Sequence, residues 1–204
     1  MNIAVAAPPA AVLRESMPLS YHRFTVEQYH AMIDAGILKN GDRCELLEGW
    51  IIDKMTLNPP HATCVVLAQT YLQSKLPSDW MLRIQLPITL ATGEPEPDLL
   101  IARGPVRRYS QSHPTPKETG LLIEVADSTL AIDRALKSIV YARAHVEVYW
   151  IINLIDSRVE VFTDPRGGKS PAYRKQRNYS AAQAVPFILD GHEIARIPVS
   201  ELLP

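Results

Sequence analysis

Cysteine is scarce in this sequence: only Cys44 and Cys64 occur in 204 residues, and no CxxC pair is present. Two isolated cysteines exclude a disulfide framework and a zinc ribbon, and they favour a reducing compartment. Long apolar runs are also missing. The longest, LLIEVA and VYWIINLI, fall far below the ~20 residues that a membrane helix needs. We therefore expect a cytoplasmic protein without a membrane segment.

The sequence also lacks an excess of either charge. Its 21 basic and 22 acidic residues give a formal net charge of −1, so nucleic-acid binding would depend on local basic patches rather than on bulk attraction. Large aromatic residues are few, with three Trp and three Phe, which provides little of the aromatic surface expected of a sugar-binding site. Both shortages count against a general DNA-coating protein and against a glycoside hydrolase.

The remaining composition is typical of a globular protein. With 47% hydrophobic and 21% charged residues, the chain is long enough for one sizeable core and too short for two comfortable domains. The first twenty residues are rich in small side chains and have neither a basic start nor a long apolar centre, which differs from a signal peptide. We predict a flexible arm over 1–20 and a single domain over 21–204.

Hydrophobic spacing predicts a mixed α/β fold. A first helix follows Thr25, CELLEGWIIDKM predicts a hairpin that turns at Glu48-Gly49, and a second helix begins near Pro60. WMLRIQLPITL, PDLLIAR, LLIEVADS, VYWIINL and RVEVFTD predict strands, 104–120 an exposed loop, and the C-terminus a short strand and a small helix. The segment STLAIDRALKSIVYARAHV predicts an amphipathic helix. Its apolar face carries Ile132, Leu136, Ile139, Val140 and Ala144.

Three acidic residues occur at or inside apolar strands: Glu45, Asp98 and Glu124. A buried carboxylate needs a partner or a cation. If the strands of Asp98 and Glu124 are neighbours, their carboxylates converge, and a divalent cation such as Mg²⁺ would neutralise them, with the carbonyl of Val125 as a further ligand. The alternatives stay open, because Asp98 also fits a turn residue after proline and Glu45 fits an ordinary hairpin acid.

Lys137 is the basic residue that best complements these acids. It follows Glu124 by thirteen positions, on the next predicted helix, where a lysine would orient a water or stabilise developing charge. Asp133, Lys137 and Tyr141 are spaced four apart and therefore share one side of the helix. The spacing alone favours an ordinary surface pair of Asp133 and Lys137 over a functional one.

The segments EPEPDLLIA, GLLIEVADST and DRALKSIVYARAHVEVYWIINL, in this order, resemble the Uma family of restriction-endonuclease-like proteins in the PD-(D/E)XK nuclease superfamily. The resemblance covers most of residues 21–165 and includes YHRFTVEQY, CELLEGWI and PPHA. It implies a restriction-endonuclease-like α/β fold, in which helices flank a mixed central β-sheet. It also implies a site in which Asp98 and Glu124 bind Mg²⁺ or Mn²⁺, with Glu45 as a third acid.

One position departs from the superfamily motif. The lysine that the motif places two residues after the glutamate is Ala126 in this sequence, and the resemblance implies that Lys137 replaces it. His61, in NPPHAT, also matches a recurring family position. A histidine near a helix start is more often a capping or packed residue, and that interpretation is preferred here for His61.

Taken together, these patterns predict a Mg²⁺-dependent endonuclease that hydrolyses DNA phosphodiester bonds. Basic residues at Arg103, Arg107 and Arg108, and the cluster within 166–177, are candidate phosphate contacts or simply solubilising charges. Cleavage of both strands would be easiest for a homodimer. The main alternative is an inactive nuclease-like domain that binds nucleic acid or a protein partner, which Ala126 favours. An acid pair for glycoside hydrolysis ranks last.

Overall fold

The computed structural model describes residues 20–39, 41–55 and 58–204, so the predicted arm lies outside the described residues except for its last position. The helices are α1 (Val26–Asp34), α2 (Pro59–Gln73) and α3, which joins an α-helical turn Leu130–Ile132, a π-helical segment Asp133–Lys137 and an α-helical segment Ser138–Arg143. The strands are β1 (Cys44–Leu47), β2 (Trp50–Asp53), β3 (Trp80–Ile84), β4 (Leu99–Arg103), β5 (Thr119–Ala126), β6 (Val148–Asn153), β7 (Arg158–Arg166), β8 (Ala172–Ser180), β9 (Ala184–Leu189) and β10 (His192–Pro198). Short 3₁₀ turns occur at Val106–Tyr109, Pro116–Glu118 and Val199–Glu201.

Six strands form the central sheet, in the order β3-β4-β5-β6-β7-β8. The pair β5 and β6 is parallel, and α3 is the crossover between them, whereas all other neighbours in this sheet are antiparallel. Two separate hairpins, β1-β2 and β9-β10, pack beside it. The predicted mixed α/β fold with helices against a mixed sheet is confirmed.

Each face of the sheet has its own apolar layer. One layer packs α2 and the β9-β10 hairpin against β5, through residues such as Leu72, Ile123 and Phe187. The other layer packs α3 and β1 against the sheet, through residues such as Leu122 and Val140. Alternation along β5 therefore sends successive side chains to opposite layers. Glu124 points to the layer beneath α3.

Local signals at the N-terminal elements were correctly interpreted. Thr25 caps α1, and its side chain and that of Gln28 form a reciprocal capping box. The β1-β2 hairpin turns at Glu48 and Gly49, both of which have positive φ, and α2 begins with prolines in its first turn. None of the helices in the described ranges combines the length and hydropathy that a membrane crossing requires.

The predicted buried face of α3 is wrong for three of its five residues, while Val140 is buried and Ala144 packs against the core. Ile132, Leu136 and Ile139 are exposed, whereas Asp133 and Tyr141 are buried. The π segment has a wider turn than an α-helix and changes which side chains face the sheet. The sheet surface below α3 carries buried carboxyl groups, and Lys137 neutralises them, which an apolar side chain could not do. The predicted surface pair of Asp133 and Lys137 is wrong for the same reason.

Three smaller predictions also need correction. Strand β3 ends at Ile84, well before the end of WMLRIQLPITL. Two antiparallel strands, β9 and β10, and a 3₁₀ turn occupy the C-terminal segment in place of one strand and a helix. Residues 104–120 contain two 3₁₀ turns and the first residues of β5. The basic stretch 166–177 covers the end of β7, the connection to β8 and the first six residues of β8, which is an edge strand.

Glu160 on β7 is a fully buried acid at the far end of the sheet from the N-terminal hairpin. Its carboxylate accepts hydrogen bonds from Arg134 Nε at 2.9 Å, Asn153 Nδ2 at 2.7 Å and Arg158 Nε at 3.0 Å. Burial opposes the charge, but these donors outweigh it and lower the pKa of Glu160. The cluster therefore stabilises the junction of α3, β6 and β7.

We expect Glu160→Gln to lower the free energy of unfolding at pH 7 by about 1–3 kcal/mol, because the charged donors lose their carboxylate. A lowered folded-state pKa stabilises the protein above the unfolded pKa, and this contribution is lost as the pH falls through the folded value. Urea unfolding at pH 7 and pH 3 tests this, with exposed Glu147→Gln as control. An equal deficit at both pH values would contradict the assignment.

Candidate active site

Asp98 and Glu124 lie side by side on the face of the sheet beneath α3. Strand β4 pairs with β5 through Leu99 and Ile123, and Asp98 is one position further along, directly opposite Glu124. Opposed residues in an antiparallel pair project to the same face. The prediction that the two strands are neighbours is therefore confirmed. Both acids also line one cavity.

Three donors hold the Asp98 carboxylate in place. His61 Nε2 lies 3.1 Å and the Val125 N–H 2.9 Å from Oδ2, while Gln85 Nε2 lies 3.3 Å from Oδ1. Burial alone would raise the pKa of this acid, but the hydrogen bonds from His61 and Val125 and the electrostatic attraction of His61 and Lys137 lower it below the ordinary value. Asp98 is therefore a fixed, ionised carboxylate.

His61 reaches Asp98 from the first turn of α2, where Asn58 caps the helix and its side chain accepts the His61 N–H at 3.0 Å. Within the described residues, the other ring nitrogen of His61, Nδ1, is buried and has no hydrogen-bond partner. Of the two preferred interpretations, the cap is wrong, because Asn58 supplies it, whereas a packed histidine agrees with a side chain that is only 13% exposed. His61 contacts the acid instead.

Glu124 has a different environment from Asp98. Its Oε1 accepts hydrogen bonds from Lys137 Nζ at 2.9 Å and from the Tyr141 hydroxyl at 2.7 Å, and its side chain is only 4% exposed. Burial raises the pKa of Glu124 to about 8, and neighbouring acids add to the rise although Lys137 opposes it. The two opposed acids thus differ in protonation at neutral pH.

Lys137 projects from the last residue of the π segment of α3 toward three carboxylates. Its Nζ lies 2.9 Å from Glu124, 3.7 Å from Glu45 and 3.8 Å from Asp133. Burial disfavours the ammonium, but the attraction of these acids outweighs it and raises the pKa of Lys137. A permanently charged lysine thus reaches the sheet acids from the helix, as the sequence predicted.

Glu45 completes the cluster from the β1-β2 hairpin. It is buried, and its Oε2 accepts the Glu96 N–H at 2.9 Å. The backbone of the hairpin packs closely on the segment before Asp98. A Cβ added to Gly93 would lie only 2.5 Å from the Leu46 carbonyl oxygen, so this position admits only glycine. Close backbone contact therefore fixes where Glu45 stands relative to the sheet.

The donor chemistry of this cluster fits a hard divalent cation. Asp98 and Glu124 offer carboxyl oxygens at the cavity, and burial raises the pKa of Glu124 although Lys137 opposes the rise. Among the described residues, no group of three or more His, Cys, Asp or Glu side chains is arranged to hold a metal. Mg²⁺ commonly uses one or two carboxylates and completes its shell with water and substrate oxygens.

The three loop arginines lie away from this cluster. Arg103 ends β4, five positions or roughly 17 Å of strand from Asp98. Its guanidinium pairs with Asp79 and Asp190 and stacks on the Trp80 ring. Arg107 and Arg108 occupy the following 3₁₀ turn. None of the three lines the cavity, so their contact with phosphate stays a prediction.

Other residues near the acids had no clear signal in the sequence. Gln85 has a φ of +48°, which is uncommon for a residue with a side chain, and both its backbone and its side chain contact Asp98. Lys39, Arg43 and Lys54 line the same cavity. Each is an isolated charge in the sequence, and only the packing of α1 and the hairpin brings them together.

Comparison with known proteins agrees with this architecture. A family model described as "Putative restriction endonuclease" matches residues 26–193, whereas no curated protein matches the sequence. A solved structure titled as a "putative nuclease belonging to DUF820", from Anabaena variabilis ATCC 29413, is similar at a TM-score of 0.63 and 14% identity, and the match covers 88% of this chain and 97% of that one. At this identity the structure supports the fold alone. The family model spans most of the chain, including every residue of the acidic cluster, and the chain therefore belongs to the Uma2 family.

Proposed function

We propose that this protein is a divalent-metal-dependent nuclease that hydrolyses DNA phosphodiester bonds. The observation that carries the proposal is the contact of 2.9 Å between Lys137 Nζ and Glu124 Oε1, in a cavity that Asp98 shares. Two buried acids with a lysine directed at them are costly to keep in a protein interior. Such clusters are concentrated at functional sites. Membership of the family supports the same reaction class.

Asp98 and Glu124 would hold Mg²⁺ or Mn²⁺ through their carboxylate oxygens, and the carbonyl of Val125 would add a third protein ligand. Such an ion supplies Lewis-acid activation of the phosphodiester and of water. His61, Gln85 and the Val125 N–H fix the orientation of Asp98, as partners of a ligand commonly do. Glu124 would lose its proton when the cation binds.

Lys137 would act on the reacting phosphate, and Tyr141 would hold Glu124 in place. The ammonium of Lys137 is a fixed positive charge beside the acids, suited to stabilise negative charge that develops at phosphorus. The Tyr141 hydroxyl donates to the same oxygen of Glu124 and so restricts its rotation. Glu45 keeps Lys137 charged from the other side. Assembly as a homodimer and a cytoplasmic location stay predictions from the sequence.

A second candidate function is binding of nucleic acid or of a protein partner without cleavage. Ala126 occupies the position of the superfamily lysine at the end of β5. Lys137, its proposed replacement, already faces three carboxylates. If Lys137 only neutralises these acids, it is not available for chemistry, and the site would bind without reacting.

A plasmid-nicking assay separates the two functions. We expect the protein to nick supercoiled DNA with Mg²⁺ or Mn²⁺ and not in EDTA, and Asp98→Asn to lose at least about a hundredfold in rate. The matched control is Asp79→Asn, which changes an exposed acid beside Arg103 at the other end of β4. No nicking with either metal, together with retained DNA binding, would favour the binding function.

A further inference from the structure

A cavity of about 500 Å³ opens above Asp98 and Glu124. Three parts of the chain form its walls: α1 with the loop that follows it, the β1-β2 hairpin, and the start of α3. The volume is within the range of about 300–1,000 Å³ typical of pockets for small ligands. The acids therefore lie at the bottom of a defined recess.

Large apolar side chains surround the entrance of this recess. Ile33 on α1, Met55 after the hairpin, and Ile132 and Leu136 on α3 all line the cavity, and each is at least 39% exposed. Isolated exposed hydrophobic residues are common. Four of them from three parts of the chain, around one cavity, form an apolar wall that is open to a ligand.

Basic side chains share the same recess. Arg43 donates to the Met55 carbonyl at 2.9 Å, and Lys54 pairs with Glu96 at 2.7 Å. Lys39 lines the recess as well, together with the acids Asp42, Asp53 and Asp127, so the lining beyond the acidic floor carries charges of both signs. An apolar wall with basic side chains beside it matches the two parts of a nucleotide, a flat base and an anionic phosphate.

The depth of the acids restricts which nucleic acid can react. The side chains of Asp98 and Glu124 are only 12% and 4% exposed, so the reacting phosphate must enter the recess together with its adjoining nucleoside. In a continuous duplex, each nucleoside is paired and stacked. A nucleoside would have to leave the stack before its base could contact the apolar wall.

We propose that this recess is a subsite for an unpaired nucleotide, so that the protein acts on single-stranded DNA segments in preference to continuous duplex. The subsite rests on the proposed nuclease function for its relevance to cleavage. Ile33 on α1 and Ile132 on α3 contact the base, while Lys39 and Arg43 are the cavity cations that meet the flanking phosphates.

Binding measurements test the subsite separately from catalysis. Fluorescence anisotropy compares one labelled oligonucleotide, single-stranded and in a perfect duplex, on the full chain carrying Asp98→Asn, which prevents turnover. We expect the single strand to bind roughly tenfold more tightly. Ile33→Ser or Ile132→Ser, added to this chain, is expected to weaken single-strand binding several-fold and to leave duplex binding unchanged.

Val66→Ser is the matched control, because Val66 is an exposed aliphatic residue on α2 that does not line the cavity. Circular dichroism and thermal unfolding verify that all variants fold. Equal affinity for both DNA forms, no binding of either, or an equal loss in the Val66 variant would overturn the subsite.

The wild-type protein with Mn²⁺ separates the subsite from the nuclease function. Cleavage of single strand and duplex at equal rates would overturn the subsite and leave the nuclease function. Retained preference in binding without cleavage of either form would support the subsite and overturn the nuclease function.

Discussion

Replacing Glu124 with glutamine is expected to reduce metal-dependent DNA cleavage by at least about a hundredfold, because the variant removes a proposed ligand and its negative charge. The fold should remain intact. Burial raises the pKa of Glu124 to about 8, so without metal the carboxyl is largely neutral at pH 7, and glutamine has nearly the same shape. Initial rates of plasmid nicking, measured with Mg²⁺ and with Mn²⁺, test this.

The same variant gives a signature in the pH dependence of stability. A raised folded-state pKa means that the native state holds a proton that the unfolded state releases above about pH 4.5. The contribution of Glu124 to stability is therefore full below pH 4.5 and is lost as the pH rises toward and through about 8. In urea unfolding with EDTA, Glu124→Gln should gain on the wild type between pH 5 and pH 9.

Glu160→Gln is the matched control for both measurements, because it replaces a buried glutamate of the same sheet that does not line the cavity. The two variants should behave in opposite ways. Glu124→Gln keeps its stability and loses cleavage, whereas Glu160→Gln loses stability and keeps cleavage. If Glu124→Gln cleaved at the wild-type rate, the proposed site would be wrong.

Replacing Lys137 with methionine is expected to lower the free energy of unfolding by about 3–5 kcal/mol at pH 7 without metal, because it leaves buried acids without their cation. Three carboxylates lie within 3.8 Å of the ammonium that is removed. Methionine keeps the length and the apolar stem of the side chain. Urea unfolding in EDTA measures the loss, which should shrink at pH 4 as the acids become protonated.

Lys75→Met is the control for Lys137, because Lys75 is an exposed lysine beyond the end of α2, where a change within about 0.5 kcal/mol is expected. A double variant with Glu45→Gln should recover part of the lost stability, since it removes one of the acids that Lys137 neutralises. A loss no larger than that of Lys75→Met would mean that Lys137 does not neutralise the cluster. Divalent cation should also stabilise Lys137→Met more than the wild type, since it replaces the missing positive charge.

Much of the fold could be predicted from local patterns. Turn residues at Glu48-Gly49, the cap at Thr25 and the apolar runs of β4 and β5 depend mainly on interactions between near neighbours in the chain. Those signals predicted the hairpin, the first two helices and the adjacent acidic strands. The C-terminal hairpin β9-β10 was harder to predict, because its register contains an irregularity and β9 includes a proline.

The candidate site could be predicted only in part. Asp98, Glu124 and Lys137 were identifiable because charges that interrupt apolar segments are conspicuous and follow the order of a family. His61 matched a family position, but its residue type also fits a cap or a packed histidine, and Gln85 gave no signal at all, since a polar residue after an apolar strand is ordinary. The conformation of Gln85, with its positive φ, is likewise invisible in the residue type.

The sequence by itself determined the mixed α/β class, the succession of the main strands along the chain, and the acids within or beside those strands. Only the tertiary structure decided that the side of α3 with Asp133 and Lys137 faces the sheet while Ile132 and Leu136 line an open cavity. Periodicity assigns the apolar side of a helix to the interior because apolar burial usually dominates. Here the sheet beneath the helix presents carboxylates, and the free energy of leaving those charges without a cation outweighs the burial of a few aliphatic side chains.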